Sequence, residues 1–230
     1  MSVLYRQGLK MKKILLLLAI PFHLYAVSHI DYIDTSKCDQ IIDKKFYNIC
    51  YSYENKGALG GWVTLKGDLV NQNSIKKRLR FSDEKDIPSK YRTHYKDYTG
   101  YGKEWNRGHF IVADADFDYD IRVLSTAYSM ANIIPQSANV NQKTWIKVEK
   151  YGRLLASKLG YINSVSIARY DNPNAEFKSG IKIPTRLYRI YYNNEHNFER
   201  CFMYENKLHI DYKKDKLKDH EIDCREIKRK

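Results

Sequence analysis

The chain has 230 residues, of which 43% are hydrophobic and 29% are charged, with a net charge of +13 at pH 7. This length and apolar content predict one folded domain, and they exclude a chain that is disordered over most of its length. The excess of basic residues favours a polyanionic partner, either nucleic acid or anionic lipid, although a cationic protein without such a partner has the same composition.

The first 26 residues have the pattern of a secretory signal peptide. Met11 is the better initiator, because two lysines follow it directly and precede the apolar run 14–20. The small residue Ala26 ends the segment. Its apolar stretch is about 13 residues at most, whereas a bilayer span needs about 20, so an uncleaved membrane anchor is the less favoured alternative. We expect no stable membrane insertion after leader removal. Residues 1–26 are therefore predicted to be a cleaved leader.

Residues 27–230 are predicted to form a single domain in a periplasmic or secreted protein. Loss of the leader removes four of the 40 basic residues and leaves 36 against 27 acidic ones, a net charge of +9. All four cysteines follow the leader, and an even count in an exported chain predicts two disulfides. Three connectivities are possible, and we favour the two local pairs, Cys38–Cys50 and Cys201–Cys224.

The region before the central motif predicts strands and loops. Residues 46–62 alternate aromatic and polar side chains and contain three glycines, which predicts a strand, a glycine turn and a second strand. The better strand is 61–65. A basic cluster follows at 76–80, and the Tyr- and Gly-rich stretch 91–105 is predicted to be a loop that leads to an Asn-Arg-Gly-His tetrad at 106–109.

The second half of the chain predicts one helix and further strands. Apolar residues at helical spacing predict a helix from about Asn141 to Lys158, which ends at Gly160. Alternating residues over 164–169 and 185–192 predict antiparallel strands. Beyond Lys213 the chain is highly charged and is expected to be peripheral.

His109 is a candidate general base, because an imidazole that titrates near neutral pH can take a proton from water that attacks phosphorus. A single histidine is more often structural, but its neighbours favour catalysis. Arg107 can bind a phosphate oxygen, and Gly108 allows another group to approach the backbone closely.

Asn141 is a candidate ligand for a hard cation such as Mg²⁺, which prefers oxygen donors; the alternative for an Asn before a helix is an N-cap. Four-residue steps on a helix place Asn141, Trp145 and Glu149 on one face. Arg153 lies at the margin of that face. Glu149 can then hold a metal-bound water and Arg153 a phosphate; the alternative is a solvated ion pair between them.

The aspartates of the run 114–120 resemble a calcium-binding loop. An EF-hand that begins at Asp114 requires glycine at 119 and glutamate at 125, where Tyr119 and Ser125 stand. We therefore exclude an EF-hand and assign no site to this run.

The tetrad and the segment from Asn132 to Glu149 together resemble the DNA/RNA non-specific endonucleases, which are nucleases of the ββα-metal type. The resemblance extends from about residue 62 to about residue 153 and is strongest over 106–149. It implies an α+β fold with a mixed or antiparallel β-sheet and an embedded ββα-metal motif. In the family the tetrad commonly begins with Asp; Asn106 keeps an acceptor oxygen but lacks the charge.

The resemblance also implies roles for individual residues. The metal ligand is expected to be Asn141, the catalytic residues His109, Arg107, Asn106 and Glu149, and the substrate-binding residues Arg78, Arg153 and Asn132. The similarity upstream of the tetrad does not separate Arg78 from Arg80, and we choose Arg78. A basic run such as 76–80 is otherwise a solvated surface.

The implied activity is hydrolysis of phosphodiester bonds in DNA and RNA, with Mg²⁺ or, in its place, Mn²⁺. Water activated by His109 attacks in line, and the products carry 5′-phosphates. The rival hypothesis is a non-catalytic envelope protein, a basic module that binds DNA on a degenerate nuclease scaffold. A nuclease toxin delivered to competitors is a third hypothesis.

Overall fold

The computed structural model describes residues 26–75 and 78–228, so the predicted leader, except Ala26, and Lys76 and Lys77 lie outside the described residues. The fold is α+β, as predicted, with a seven-stranded and a two-stranded antiparallel sheet. Within the described ranges, none of the helices is long and apolar enough to cross a bilayer.

The large sheet has the strand order β1-β2-β3-β6-β7-β8-β9, and all its pairings are antiparallel. Strands β4 and β5 form the small sheet. In chain order the strands are β1 (Gln40–Asp43), β2 (Tyr47–Ser52), β3 (Gly57–Lys66), β4 (Trp105–His109), β5 (Ile133–Ser137), β6 (Tyr161–Arg169), β7 (Arg186–Asn193), β8 (Phe198–Glu205) and β9 (Glu221–Ile222). The α-helices are α1 (Asp114–Phe117), α2 (Ile121–Ala127) and α3 (Trp145–Leu159).

Both faces of the large sheet are covered by apolar residues. The larger core cluster joins β2, β3 and β6 to α2 and α3. A second cluster on β6, β7 and β8 includes Val165 and Ile167 and is covered by the N-terminal residues Tyr32 and Ile33. This two-sided burial is what the alternation at 164–169 predicts for a central strand, since successive side chains point to opposite faces.

The glycine turn predicted within 46–62 is wrong in position. The chain turns at 53–56, and Gly61 lies inside β3, in agreement with the strand predicted at 61–65. A Cβ atom on Gly61 would lie 2.4 Å from the backbone oxygen of Asn48 and 2.5 Å from Ile111. Gly61 therefore does not reverse the chain. Its missing side chain allows two neighbours to pack closely against the strand.

The helix predicted from Asn141 to Lys158 is present, but its first turn is a π turn, Val140–Thr144, which leads into α3. Gly160 follows α3 with a φ of 83°, a conformation that favours glycine at a helix end. The β4–β5 pair and α3 form the ββα motif, and α3 packs mainly on β6.

The prediction that Asn141 shares one face of a regular helix with Trp145 and Glu149 is wrong for Asn141, which lies on the π turn. Trp145 is fully buried and packs against Phe110 and Tyr204, whereas the other two are partly exposed. The π turn is wider than an α-turn, so residues on it are rotated relative to the helix that follows. Asn141 is thereby turned out of the core.

Both predicted disulfides, Cys38–Cys50 and Cys201–Cys224, are present. Loops of this size contribute about 3 kcal/mol each by restricting the unfolded chain. The second bridge ties the C-terminal segment to β8, and β9 adds the last strand at that edge. Lys147 on α3 also lies 2.6 Å from Asp215, so the charged segment beyond Lys213 is attached to the domain through several contacts.

Candidate active site

Four of the predicted site residues meet in one cleft of about 380 Å³. The cleft is lined by Arg78, Gly102, Trp105, Asn106, Arg107, Asn141 and Gln142. Strand β4, the π turn and the segment that contains Arg78 each supply lining residues. Residues that are 63 positions apart in the sequence, from Arg78 to Asn141, are thus brought together.

Asn106 connects the tetrad to the π turn. Its Oδ1 accepts hydrogen bonds from Nδ2 of Asn141 at 3.1 Å and from Nε2 of Gln142 at 2.7 Å, and its Nδ2 donates to the backbone oxygen of Gly102 at 3.2 Å. No hydrogen bond to Oδ1 of Asn141 is found among the described residues. Asn106 therefore holds Asn141 by its amide nitrogen and leaves the amide oxygen available for a ligand.

Gly108 allows close packing between the two strands of the motif, as its sequence position predicts. A Cβ atom at this position would lie 2.2 Å from the side-chain oxygen of the fully buried Gln136 on β5. Nε2 of Gln136 in turn donates to the backbone oxygen of His109 at 3.5 Å. Any side chain at position 108 would therefore displace Gln136 and the backbone of the candidate base.

His109 ends β4, and its side chain is only 14% exposed. The ring packs between those of Phe81 and Tyr128, with centroid distances of 5.4 and 5.2 Å. Burial lowers the pKa of His109 below its ordinary value of 6.5; the charge of Arg78 adds to this effect and that of Asp114 opposes it. The imidazole is therefore mostly neutral at pH 7, which is the form that accepts a proton.

Asp114 is the carboxylate that faces the base. Its Oδ1 lies 3.2 Å from Nε2 of His109, and its Oδ2 accepts a hydrogen bond of 2.8 Å from the hydroxyl of Tyr128. The His109–Asp114 contact is not aligned as a hydrogen bond, and within the described part of the chain neither atom has another partner. A carboxylate at this place favours the proton on Nε2 and leaves Nδ1 as the acceptor.

Arg189 fixes the backbone that follows His109. It lies on β7, is 2% exposed, and donates to the backbone oxygens of Phe110 at 2.6 Å and Ile111 at 2.9 Å. Its guanidinium also lies 4.9 Å from the ring of Trp145. A buried cation in the large sheet thus binds the chain directly after the candidate base and stacks on α3.

Asn132 was predicted to bind substrate, and the structure corrects this prediction. It is fully buried; its Oδ1 accepts from the backbone nitrogens of Ile111 and Val112, and its Nδ2 donates to the backbone oxygens of Val112 and Ala127. Its hydrogen-bonding groups are occupied by the backbone. Asn132 therefore positions the segment after His109 and has no group left for a substrate.

Arg153 was predicted to bind phosphate, but the structure places it in a buried ion pair. Its Nη1 lies 3.0 Å from Oδ1 of Asp116, its Nε donates to Oδ1 of Asn71 at 2.8 Å, and the residue is 4% exposed. Its charge is therefore compensated inside the protein. The contact fastens α3 to the α1 segment, which also carries Asp114.

Glu149 has no hydrogen bond or ion pair within the described residues, so the predicted alternative of a solvated pair with Arg153 is also wrong. Burial raises the pKa of Glu149 to about 7; the nearby charge of Asp116 adds to the effect, and the charges of Arg189 and Arg153 oppose it. A carboxylate in these surroundings gains stability when a cation is close to it.

Three arginines along the cleft have no carboxylate partner among the described residues. Arg78 and Arg80 are exposed, and the guanidinium of Arg107 lies 3.8 Å from the ring of Tyr95. Arg78 lines the cleft, whereas Arg80 lines only an adjoining cavity. This placement favours Arg78 over Arg80 as the group nearer to Asn141.

The residues at the cleft fit a hard divalent cation. In the ranges 26–75 and 78–228, no cluster of three or more His, Cys, Asp and Glu side chains is arranged to bind a metal. The donors are of another kind: the free amide oxygen of Asn141 at the cleft and, eight residues further along the chain, the carboxylate of Glu149, which has no partner among the described residues. Mg²⁺ and Mn²⁺ accept such oxygen donors, and Mg²⁺ keeps several waters when protein ligands are few.

Asp114, Tyr128 and Arg189 form the surroundings of His109 that the sequence did not reveal. Arg189 gives one signal, since it stands alone as a charged residue in the run from Leu187 to Tyr192. Asp114 gives a weaker one, because it follows His109 by only five residues. Tyr128 gives none, since nothing near it in the sequence indicates a catalytic neighbour.

Comparison with known proteins identifies the family of the chain. The chain matches the family model of the DNA/RNA non-specific endonucleases over residues 29–230. It is 27% identical over 118 residues to human mitochondrial endonuclease G, across 50% of this chain and 38% of that protein. It is 25% identical over 162 residues to the mitochondrial nuclease EXOG of Danio rerio, across 64% and 46%. The chain thus spans less than half the length of these curated relatives.

A solved structure supports the same conclusion for the fold. It is described as the complex of EndoG with EndoGI, and it matches with a TM-score of 0.70 and 14% identity, covering 82% of each chain. The family match includes the β4–β5 pair, the tetrad, the π turn and α3. This chain therefore belongs to the DNA/RNA non-specific endonuclease family.

Proposed function

We propose that this protein is a divalent-metal-dependent endonuclease that hydrolyses phosphodiester bonds in both DNA and RNA. One observation carries the proposal: a free amide oxygen and unpaired arginines line a single cleft, and a histidine that burial keeps neutral ends the strand, β4, that lines it. His109 supplies the base, Asn141 supplies the oxygen ligand, and Arg78 and Arg107 supply positive charge. A general base and charge stabilisation are what in-line attack of water on a phosphodiester requires.

His109 takes the proton from the attacking water, and its fixed backbone keeps the ring at one position during the step. Arg107 and Arg78 bind the non-bridging oxygens of the phosphate and stabilise the charge that grows on them. Mg²⁺ or Mn²⁺ held by Asn141 would supply Lewis-acid stabilisation of the phosphate and leaving oxygens. With the ion bound, the carboxylate of Glu149 would be the group available to hold its water.

Asn106, Asn132 and Arg153 have supporting roles in this proposal. Asn106 orients Asn141, Asn132 fixes the chain after His109, and Arg153 fastens α3. None of the three is required to touch substrate. Affinity comes mainly from contacts to the phosphate backbone, so binding depends on salt and only weakly on sequence.

We also propose that the protein acts outside the cytoplasm. Two disulfides support this, because such bonds persist in oxidising compartments and are rare in reducing ones. The basic balance of the chain supports DNA and RNA as its partners. The leader prediction agrees with export.

Digestion of plasmid DNA and of RNA by residues 27–230, with intact disulfides, tests the activity. We expect cleavage in Mg²⁺, none in EDTA, and a loss of at least about 100-fold in His109→Ala, which removes the general base. His196→Ala is the matched control, because His196 is exposed in the turn between β7 and β8. Filter binding should show that His109→Ala still binds DNA.

The opposite result would support the rival function. If the folded protein binds DNA tightly and in a salt-dependent manner but cuts it in neither Mg²⁺ nor Mn²⁺, the chain is a binding module on a nuclease scaffold. Cleavage by His109→Ala at the wild-type rate would refute the role of the base while leaving the nuclease itself intact.

A further inference from the structure

A second cavity of about 660 Å³ adjoins the catalytic cleft. It shares Arg78 and Arg107 with the cleft, and its other lining residues are Leu79, Arg80, Phe81 and Tyr95. The base, the metal ligand and its neighbours do not use this cavity. Its combination of three cationic and two aromatic side chains therefore needs an explanation of its own.

Tyr95 is the most unusual residue of this cavity. It is 52% exposed, although a large aromatic side chain of a folded domain is usually buried. Its backbone is held in a 3₁₀ turn, Tyr95–Tyr98, in which the backbone nitrogen of His94 donates to Asp97 at 2.8 Å. An exposed ring on a fixed backbone forms a ready platform for a flat ligand.

Arg107 holds the Tyr95 ring in place. The guanidinium lies 3.8 Å from the ring centre, and its Nη1 donates to the backbone oxygen of Tyr95 at 3.5 Å. Phe81 stands beside the same ring, with 6.2 Å between centroids and 30° between planes. The stacked Arg–Tyr pair resembles the platforms on which proteins stack unpaired nucleobases.

The cavity also carries positive charge that can bind a phosphate. Arg78 and Arg80 are exposed and, among the described residues, have no carboxylate within ion-pair distance. An aromatic platform next to unpaired arginines is the arrangement by which single-stranded nucleic acid is bound without sequence preference. Neither an acidic peptide nor an inorganic anion would use the ring.

The platform lies close to the reaction centre. The ring of Phe81 is 5.4 Å from that of His109 and 6.2 Å from that of Tyr95, so the platform lies within about 12 Å of the base. Stacked nucleotides follow one another at about 3.4 Å along a strand. The ring is therefore within about three nucleotide positions of the phosphate that His109 attacks.

We infer that this cavity is a base-stacking subsite, in which an unpaired nucleobase within about three nucleotides of the scissile phosphate stacks on Tyr95 while Arg80 binds the phosphate of that nucleotide. This inference rests on the proposed nuclease function and names its preferred substrate class: single-stranded or locally unpaired DNA and RNA. Bases inside a duplex are already stacked on their neighbours and are not free to enter. Every base has a π-face, so the subsite adds affinity without sequence preference.

The test compares two single-stranded ligands of equal charge, a twelve-nucleotide thymidine strand and an abasic strand of the same length. Binding is measured by fluorescence anisotropy in Mg²⁺, with every variant made in a His109→Ala background so that the strands stay intact. Tyr95→Leu should weaken binding of the thymidine strand about tenfold and leave binding of the abasic strand unchanged. Tyr95→Phe keeps the ring and should bind both strands as the parent does.

The comparison of strands separates stacking from an indirect effect through Arg107. If Tyr95 only positions that arginine, Tyr95→Leu weakens both strands equally, and this result would overturn the subsite. Tyr119→Leu is the matched control, because Tyr119 is a partly exposed tyrosine that lines a separate cavity. It should change binding of neither strand.

The two proposals fail in distinguishable ways. If the wild-type protein cuts no substrate but Tyr95→Leu still weakens binding of the thymidine strand alone, the nuclease proposal fails and the subsite stands. If the wild type cuts but Tyr95→Leu binds both strands as its parent does, the subsite is refuted and the nuclease proposal stands. In active protein, Tyr95→Leu should also reduce the preference for single-stranded over duplex DNA.

Discussion

The two sides of the catalytic cleft are built in different ways. On one side, which we call the anchored side, residues 105–113 and α3 are held by buried polar groups, among them Arg189 and Asn132. On the other, the open side, the segment 78–81 and Tyr95 are exposed, and their arginines have no carboxylate partner among the described residues.

This difference matches two physical requirements. A proton transfer needs its base at a defined place, and an error of about 1 Å can cost about 100-fold in rate. Binding of a polyanion by charge tolerates larger displacements, because Coulomb energy changes slowly with distance. Changes on the anchored side should therefore alter stability and the rate of the chemical step, and changes on the open side should alter affinity and its salt dependence.

The largest effect is expected on the anchored side, in Arg153→Ala. The substitution leaves Asp116 buried without its partner, which should lower the free energy of unfolding by about 3–5 kcal/mol. Urea unfolding at pH 7 with intact disulfides measures this value. Arg169→Ala is the control, because Arg169 is exposed at the end of β6 and should change stability by less than about 0.5 kcal/mol.

This experiment also decides between the sequence prediction and the structure for Arg153. If Arg153 contacts phosphate, the alanine variant should keep wild-type stability, and the slope of log affinity against log salt should fall by about one. The double variant Arg153→Met with Asp116→Asn removes both charges and should recover part of the lost stability.

The next effect concerns the orientation of the base. Asp114→Asn removes a charge that raises the pKa of His109, so that pKa should fall further below 6.5. His109 then stays neutral at lower pH, and the acid limb of the rate–pH profile should move to lower pH. Because the ring also loses its carboxylate neighbour, the plateau rate should fall about tenfold to 100-fold.

Tyr128→Phe is the control for this prediction. It keeps the ring that packs against His109 and removes only the hydroxyl that donates to Asp114. Asp114 keeps its charge in this variant, so the acid limb should not move to lower pH as it does in Asp114→Asn. A lower plateau with an unmoved acid limb in Asp114→Asn would contradict an electrostatic role for Asp114 and leave it a structural one.

A smaller effect is expected on the open side. Arg78→Ala and Arg80→Ala should each weaken DNA binding about three- to tenfold at 0.1 M salt and reduce the salt slope by about one, without a change in stability. Arg78 also lines the catalytic cleft, so Arg78→Ala alone should lower kcat. Equal loss of kcat in both variants would show that the two arginines are not separated as their cavities indicate.

The sequence predicted the parts of the molecule whose signals are local. The helical spacing after Asn141 predicted α3, the alternation at 61–65 predicted part of β3, and an even cysteine count in terminal segments predicted both disulfides. The same local logic failed for the glycine turn, since the chain turns at 53–56, and at the first helical turn. There, a neighbouring side chain or a π turn decides the geometry, and neither has a period that a sequence reveals.

The surroundings of the site could not be predicted because they depend on contacts between distant residues. Arg189 binds the backbone of Phe110 and Ile111, which are nearly 80 residues away. Asn132 and Arg153 were assigned to substrate by their position in the motif, whereas their burial follows from packing of the whole sheet. A motif identifies which residues surround a reaction, and only the fold separates those that touch substrate from those that hold the others.

The smallest effect is expected where the two sides meet, in Asn106→Asp, which restores the residue more common in the family. The carboxylate can still accept the hydrogen bonds of Asn141 and Gln142, and it adds a negative charge beside the candidate metal ligand. One additional negative charge near the ion contributes about 1 kcal/mol to the free energy of metal binding in a solvated site. The Mg²⁺ concentration for half-maximal cleavage should therefore fall up to about fivefold.

The same substitution has a cost that can be measured separately. The donation from Asn106 to the backbone oxygen of Gly102 is lost, which should lower the free energy of unfolding by about 1 kcal/mol. Asn106→Ala loses this bond too but adds no charge, so it should raise the Mg²⁺ requirement. If both variants shift the Mg²⁺ dependence equally, Asn106 acts only by positioning Asn141. Opposite shifts would show that a negative charge at position 106 strengthens metal binding, and that the neutral Asn106 gives up this charge for its hydrogen bond to Gly102.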